Sequence, residues 1–206
     1  MNIQSLVHYL FEAYHLKTHD HCGVRLAHVP NPDSLAEHVL LATQIAYFLA
    51  DMEQADRAKV VEMMLFHDNA EIRIGDINKL QQSYLESEKS EVKGERLRRK
   101  RVMETEAFED QTKFLPEFLQ QVLRQNFNEM EQGETLEARV VKDADLLEQA
   151  FQIQIFKQQG RYDALEAWLL NVEKALQTVS AQEVFKKILV TSPNEWLMQV
   201  RREKGI

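Results

Sequence analysis

Leu65-Phe66-His67-Asp68-Asn69-Ala70-Glu71-Ile72-Arg73-Ile74-Gly75-Asp76 sets one imidazole and three carboxylates at the end of an apolar run. That run, Val60-Val61-Glu62-Met63-Met64-Leu65-Phe66, is hydrophobic almost all round, as a helix buried among other helices should be. Two ionisable groups closing such a helix need partners. His67 and Asp68 are adjacent and leave a helix about 100° apart, which lets them take neighbouring positions around one cation. Glu71, four residues beyond His67 and three beyond Asp68, faces whatever the pair holds. Gly75 lets the chain turn, and Asp76 follows at the rim. Half of a metal site is one reading; a surface pair, or an aspartate orienting a core histidine, is the other.

Two distant segments offer further ligands. Ser34-Leu35-Ala36-Glu37 reads as a capping box, with Ser34 capping the backbone and Glu37 reaching back, at the start of a helix running to about Asp51. Leu35, Val39, Ala42, Ile45, Ala46 and Leu49 define its buried stripe, which His38 borders from the first turn. His38 is either a hydrogen-bonded histidine at a helix end or a ligand, since neutral imidazole is the commonest metal-binding side chain. Farther on, Val140-Val141-Lys142-Asp143-Ala144-Asp145-Leu146-Leu147 embeds two carboxylates and a lysine in the apolar helix expected over Leu136 to Phe156. Buried acids are costly unless paired or metal-bound. Asp143 and Asp145 face opposite ways, so at most one enters a shared centre.

The remaining chain reads as helices. Residues 3 to 16 form an amphipathic helix whose role is packing; Lys17 to Asp33 is irregular, and its His19-Asp20 is loop polarity. Asp56 or a neighbour starts the helix that ends in His67. From Gln81 to about Lys113 the chain is polar, and its basic run Arg96, Arg98, Arg99, Lys100, Arg101 reads as a solvated helix face, because acids flank it and no aromatic platform is interleaved. A mobile flap or an oligomer contact is the alternative there. Phe114 to Leu123 continue as helix, Gly133 marks a break, and closing helices follow over Tyr162 to Leu176 and Val184 to Val190, with Trp196 as a core anchor.

Over 206 residues, 44 % hydrophobic and 28 % charged side chains with only six glycines and four prolines favour one soluble, all-α domain spanning residues 1–206. The net charge of −8 argues against a nucleic-acid backbone or an anionic membrane as partner. The single cysteine, Cys22, rules out an internal disulfide; no signal-peptide layout or span of about 20 apolar residues is present, so a cytoplasmic location is expected. Gly-rich phosphate loops, G-x-G-x-x-G and G-x-S-x-G are absent.

The order His38, His67-Asp68, then an aspartate on a late helix resembles the HD-domain metal-dependent phosphohydrolase superfamily. Asn31-Pro32-Asp33-Ser34-Leu35-Ala36-Glu37-His38, His67-Asp68-Asn69-Ala70-Glu71 through Gly75-Asp76-Ile77, and Lys142-Asp143-Ala144-Asp145 resemble its 5′-deoxynucleotidase branch. The resemblance implies a compact all-α bundle, often a homodimer, and a divalent metal, foremost Mn²⁺ or Co²⁺ with Mg²⁺, Zn²⁺, Fe²⁺ or Ni²⁺ as alternatives. It implies His38, His67, Asp68 and Asp145 as ligands, and Glu71 and Asp76 as the acid/base and substrate-orienting carboxylates. The expected substrate is a small nucleotide, a nucleoside 5′-monophosphate, with His21, Arg25, Lys79 and Lys142 as candidate phosphate partners. A phosphodiesterase or guanosine-tetraphosphate hydrolase of the same superfamily, and a non-catalytic metal-binding regulatory module, are the competing readings. Where the branch carries an R-x-G-W-like element, this chain has His21-Cys22-Gly23-Val24.

Overall fold

Side chains that satisfy free backbone N–H groups decide where the helices begin. In the computed structural model, which describes residues 2–20, 29, 31–76, 95–160 and 163–206 (backbone only for 95–98 and 163–164), Asn2 caps α1 (Ile3–Ala13), which runs into a 3₁₀ turn, Tyr14–Lys17. Ser34 opens α2 (Leu35–Glu53) with the expected capping box: its hydroxyl accepts from Glu37 N at 3.3 Å and its own N–H donates to the Glu37 carboxylate at 2.8 Å. Asp56 caps α3 (Arg57–Phe66), accepting from Ala58 N and Lys59 N. Then come the single turn α4 (Glu71–Ile74), α5 (Glu95–Thr112) and α6 (Glu117–Gln132). Thr135 caps α7 (Leu136–Gln158), and α8 (Asp163–Ala175), α9 (Val179–Val190) and α10 (Glu195–Lys204) close the chain.

The longest helix among the described residues, α7, is the hub. It buries Val140, Val141, Ala144, Leu147, Ala150, Ile153 and Phe156, and packs against α2, α3, α6, α8 and α9. Across from it α2 buries Leu35, Val39, Ala42, Ala46, Leu49 and Ala50, and the alanines let the two backbones approach closely. Truncating a fully buried leucine here, such as Leu147 or Leu49, removes about 2–5 kcal/mol of stability. The fold class is the expected all-α one, and among the described residues no helix is long and apolar enough to cross a membrane.

Four local expectations need correction. No residue of α1 is buried: Ile3, Leu10 and Phe11 are exposed, and only Leu6 and Tyr9 lean on the core. Leu65 is half exposed, because α3 meets its neighbours through Val60, Met63 and Met64. The polar helix and the one after it are not continuous; the chain breaks at Lys113–Pro116, since a proline cannot donate within a helix, and Phe114 and Phe118 lie exposed. Trp196 is 65 % exposed on α10, none of whose residues is buried, so it anchors nothing in the core.

Candidate metal centre

His67 is the C-terminal cap of α3, and its ring turns back on that helix: Nδ1 donates to Met64 O at 2.7 Å. This fixes the tautomer and leaves Nε2 as a lone-pair donor, buried, without a hydrogen-bond partner, and 3.1 Å from Asp68 Oδ1. The chain then tightens. Glu71 N bonds Asp68 O and Ile72 N bonds Asn69 O, the i→i+3 pattern of about three residues per turn, which eclipses Asp68 and Glu71 on one face.

His38, in the first turn of α2, is buried with its Nδ1 2.8 Å from Glu148 Oε2 of α7, itself buried. Its Nε2 faces Asp145 Oδ1 at 3.3 Å and Asp68 Oδ2 at 3.6 Å. One nitrogen of each histidine and one oxygen of Asp145 lie within 4.8 Å of one another. Two ligands each about 2.1 Å from one ion stand no more than about 4.2 Å apart, so the three atoms lie at that spacing or within a small side-chain shift of it. With both Nδ1 atoms engaged, two imidazole lone pairs converge on carboxylate oxygens, an arrangement that is repulsive until a proton or a cation lies between. The donor set, two nitrogens and hard oxygens, fits a divalent transition metal.

The electrostatics agree. Burial disfavours a charged His38, but the hydrogen bonds of Asp145 and Glu148 and the charge of Asp68 push its pKa well above the ordinary 6.5. Burial likewise opposes charge on His67, and Asp68 overrides it upward. Burial also works against the Asp145 carboxylate, yet the hydrogen bond and charge of His38 hold it below the usual aspartate range. Glu71 goes the other way: burial, then the charges of Asp68 and Asp76, push it well above the usual glutamate range.

The group opens into a cavity of about 190 Å³ lined by His67, Asp68, Glu71 and Asp145 together with Lys100, Glu104, Glu131 and Lys142, and by apolar Phe127, Met130 and Val141. A larger, open hollow of about 650 Å³ beside Gln154, Lys157, Thr191 and Pro193 gathers no comparable set of ionisable groups, so size does not mark the site.

Asp143, two residues from Asp145, turns the opposite way. It accepts from Gln177 N, Thr178 N and Thr178 Oγ1 at 2.9, 2.7 and 2.6 Å, holding the start of α9. The motif after α3 is braced from outside. Asn69 donates to Tyr9 Oη at 2.7 Å and its carbonyl accepts from Gln111; Arg73 bonds Glu12 of α1 and Asp110 of α5. Burial pushes the Tyr9 hydroxyl up to about 12, so it stays protonated. Bracing this motif, more than filling the core, is what α1 does.

The structure thus brings together His38, His67, Asp68, Asp145 and Glu71, with Asp76 near enough for its charge to act on Glu71. Lys142 lines the cavity; His21, Arg25 and Lys79 lie outside the described residues, as does Cys22. Two residues escaped the sequence reading. Glu148 had a usable signal, a buried acid one turn beyond Asp145 on the same face. Lys100 had only an indirect one: its basic run, Arg96 to Arg101, reads as a solvated face and offers cations to a substrate only on the phosphodiesterase or guanosine-tetraphosphate reading.

The HD-domain family profile matches residues 13–189, and the chain belongs to that family. Among curated proteins, the 5′-deoxynucleotidase HDDC2 of Bos taurus is 28 % identical over 163 residues, covering 79 % of this chain and 70 % of that protein. The Homo sapiens 5′-deoxynucleotidase HDDC2 is likewise 28 % identical over 163 residues, covering 79 % and 71 %. The fold matches a conserved hypothetical protein from Pyrococcus furiosus, at TM-score 0.69 and 24 % identity over 90 % of this chain and 99 % of that one. A Pyrococcus horikoshii protein matches at TM-score 0.70 and 23 % identity, over 88 % of this chain and 97 % of that one.

Proposed function

We propose that this chain is a metal-dependent phosphomonoesterase acting on nucleoside 5′-monophosphates, with His38, His67, Asp68 and Asp145 as metal ligands. The observation that carries this reading is the buried Nε2 of His67 beside Asp68, with Asp145 and Glu71 lining the same cavity and the His38 Nε2 behind them, 3.3 Å from Asp145 Oδ1. The likeness to 5′-deoxynucleotidases supports the substrate class. A bound divalent ion supplies positive charge against phosphoryl oxygens and lowers the pKa of water, which phosphate-monoester hydrolysis, among the slowest uncatalysed reactions, requires.

The chain's own groups do the rest. Glu148 holds the His38 ring with Nε2 toward the centre, and the Met64 carbonyl does the same for His67. Glu71, its pKa raised by burial and by Asp68 and Asp76, moves the proton between the attacking water and the leaving ribose oxygen. Asp76 orients that water or oxygen. Met130, Phe127 and Val141 limit water in the cavity.

We take the working unit to be a homodimer, consistent with the exposed Leu40, Leu41, Tyr47 and Phe48 on the outer face of α2. Light scattering at about twice the mass of one chain would bear this out, and a monomer would refute it. The activity is tested by phosphate release from ribo- and deoxyribonucleoside monophosphates, cyclic dinucleotides and guanosine tetraphosphate, using metal-stripped protein resupplied with Mn²⁺, Co²⁺, Mg²⁺ or Zn²⁺. Metal-dependent release from monophosphates is the expected result; turnover of only the other substrates would move the chain to a phosphodiesterase or guanosine-tetraphosphate hydrolase reading.

A further inference from the structure

The described lining of the cavity carries more carboxylates than cations, with Lys100 and Lys142 as its lysines. An anionic substrate therefore depends on which lysine turns toward it. Lys142 is engaged elsewhere: its ammonium lies 3.4 Å from Glu131 O, and 2.6 Å from where a side chain at Gly133 would begin, seated against the α6–α7 connection.

Lys100 differs. It pairs with Glu104, one turn along α5, at 2.8 Å, and the two side chains are only 26 % and 13 % exposed. A lysine preceding a glutamate by four residues is the weaker orientation of such a pair, and on an open helix face even the better one contributes only about 0.2–0.5 kcal/mol. Helix stability thus gives little reason to bury this pair against the site carboxylates. Burial opposes its charge, but Glu104, Glu71 and Asp68 together raise its pKa, so the ammonium stays charged at neutral pH. One of its three donors reaches Glu104, and the ammonium can offer others to an anion in the same cavity.

We propose that Lys100 binds the phosphoryl group of the substrate and that Glu104 holds it at the cavity wall between turnovers. The proposal rests on the phosphomonoesterase reading for the identity of the substrate, and on geometry for the lysine. A lysine suits this task as a point charge that can follow an oxygen during transfer.

Inorganic phosphate binding to Mn²⁺-loaded protein, followed by calorimetry beside a separate Mn²⁺ titration, tests it. Lys100→Met should weaken phosphate at least tenfold while Mn²⁺ affinity stays within twofold; Lys100→Arg should stay within threefold of wild type. Glu104→Gln, which breaks the same ion pair but keeps the cation, should bind phosphate at least as tightly as wild type. The proposal is overturned if the Mn²⁺-loaded wild type binds no phosphate, if Lys100→Met binds it normally, or if Glu104→Gln loses as much as Lys100→Met, which would make the pair structural. Wild-type protein that binds phosphate through Lys100 yet releases none from nucleoside monophosphates would instead refute the substrate assignment alone.

Discussion

Asp143 and Asp145 stand two residues apart on the hub helix and meet opposite surroundings. Asp143 faces the start of α9 and receives three hydrogen bonds, two from its N-cap Thr178 and one from the preceding Gln177, so its charge is satisfied by the fold. Asp145 faces the cavity, where its neighbours include the Nε2 of His38, a lone pair unless protonated, and a second carboxylate, Asp68. One acid is stabilised by what the protein already contains. The other is stabilised fully only when a proton or a cation joins it. That contrast separates a carboxylate held by the fold from the one assigned to the proposed metal, within a single helix turn.

The contrast breaks most visibly in activity. Asp145→Asn should lower kcat/KM for phosphate release by about 10³-fold or more, as loss of charge from a metal centre does, while the melting temperature moves by only a few degrees; steady-state assays with thermal melts check both. Asp143→Ala should do the reverse. It strands the Gln177 and Thr178 donors and should cost about 2–4 kcal/mol of stability in denaturant titrations, with Mn²⁺ affinity per folded molecule unchanged.

Glu148→Gln tests the support behind the centre. It leaves the side-chain shape and a hydrogen bond to His38 but removes the charge, and should weaken Mn²⁺ about 10–100-fold without unfolding the chain. The smallest effect is on pH. Burial opposes a proton on His38, but Asp145, Glu148 and Asp68 raise its pKa in metal-free protein well above 6.5. A raised folded pKa contributes stability that is fully present below the unfolded value of about 6.5 and is lost as pH rises through the folded value. Metal-stripped protein should therefore lose melting temperature as the pH rises above about 6.5, and Mn²⁺-loaded protein, with the cation in the proton's place, should not.

How far this could be read from the sequence follows from the range of the interactions. The Ser34–Glu37 capping box, the Asp56 cap and the His67-Asp68-Asn69-Ala70-Glu71 spacing are local, and the helices capped by Ser34 and Asp56 begin where those residues indicate. The choice between Asp143 and Asp145 is not local: periodicity sets them on opposite faces, but only the position of α9 says which face is occupied. Lys100 was missed for a similar reason, since its burial comes from the packing of α5 near the site and not from its polar neighbours in sequence. Trp196 and Phe11 fail the opposite way: a large apolar side chain at helical spacing promises burial, and nothing described covers either. Glu148 alone was within reach, as an acid on the same face as Asp145 in a helix already recognised as buried.

The central claim is that His38, His67, Asp68 and Asp145 form one metal centre, and the direct measurement is a Mn²⁺ titration of metal-stripped wild type, Asp145→Asn and Asp143→Ala, followed by electron paramagnetic resonance. One ion per chain in wild type and in folded Asp143→Ala, with affinity at least 100-fold weaker in Asp145→Asn, is the predicted result. Equal affinity in wild type and Asp145→Asn would contradict it.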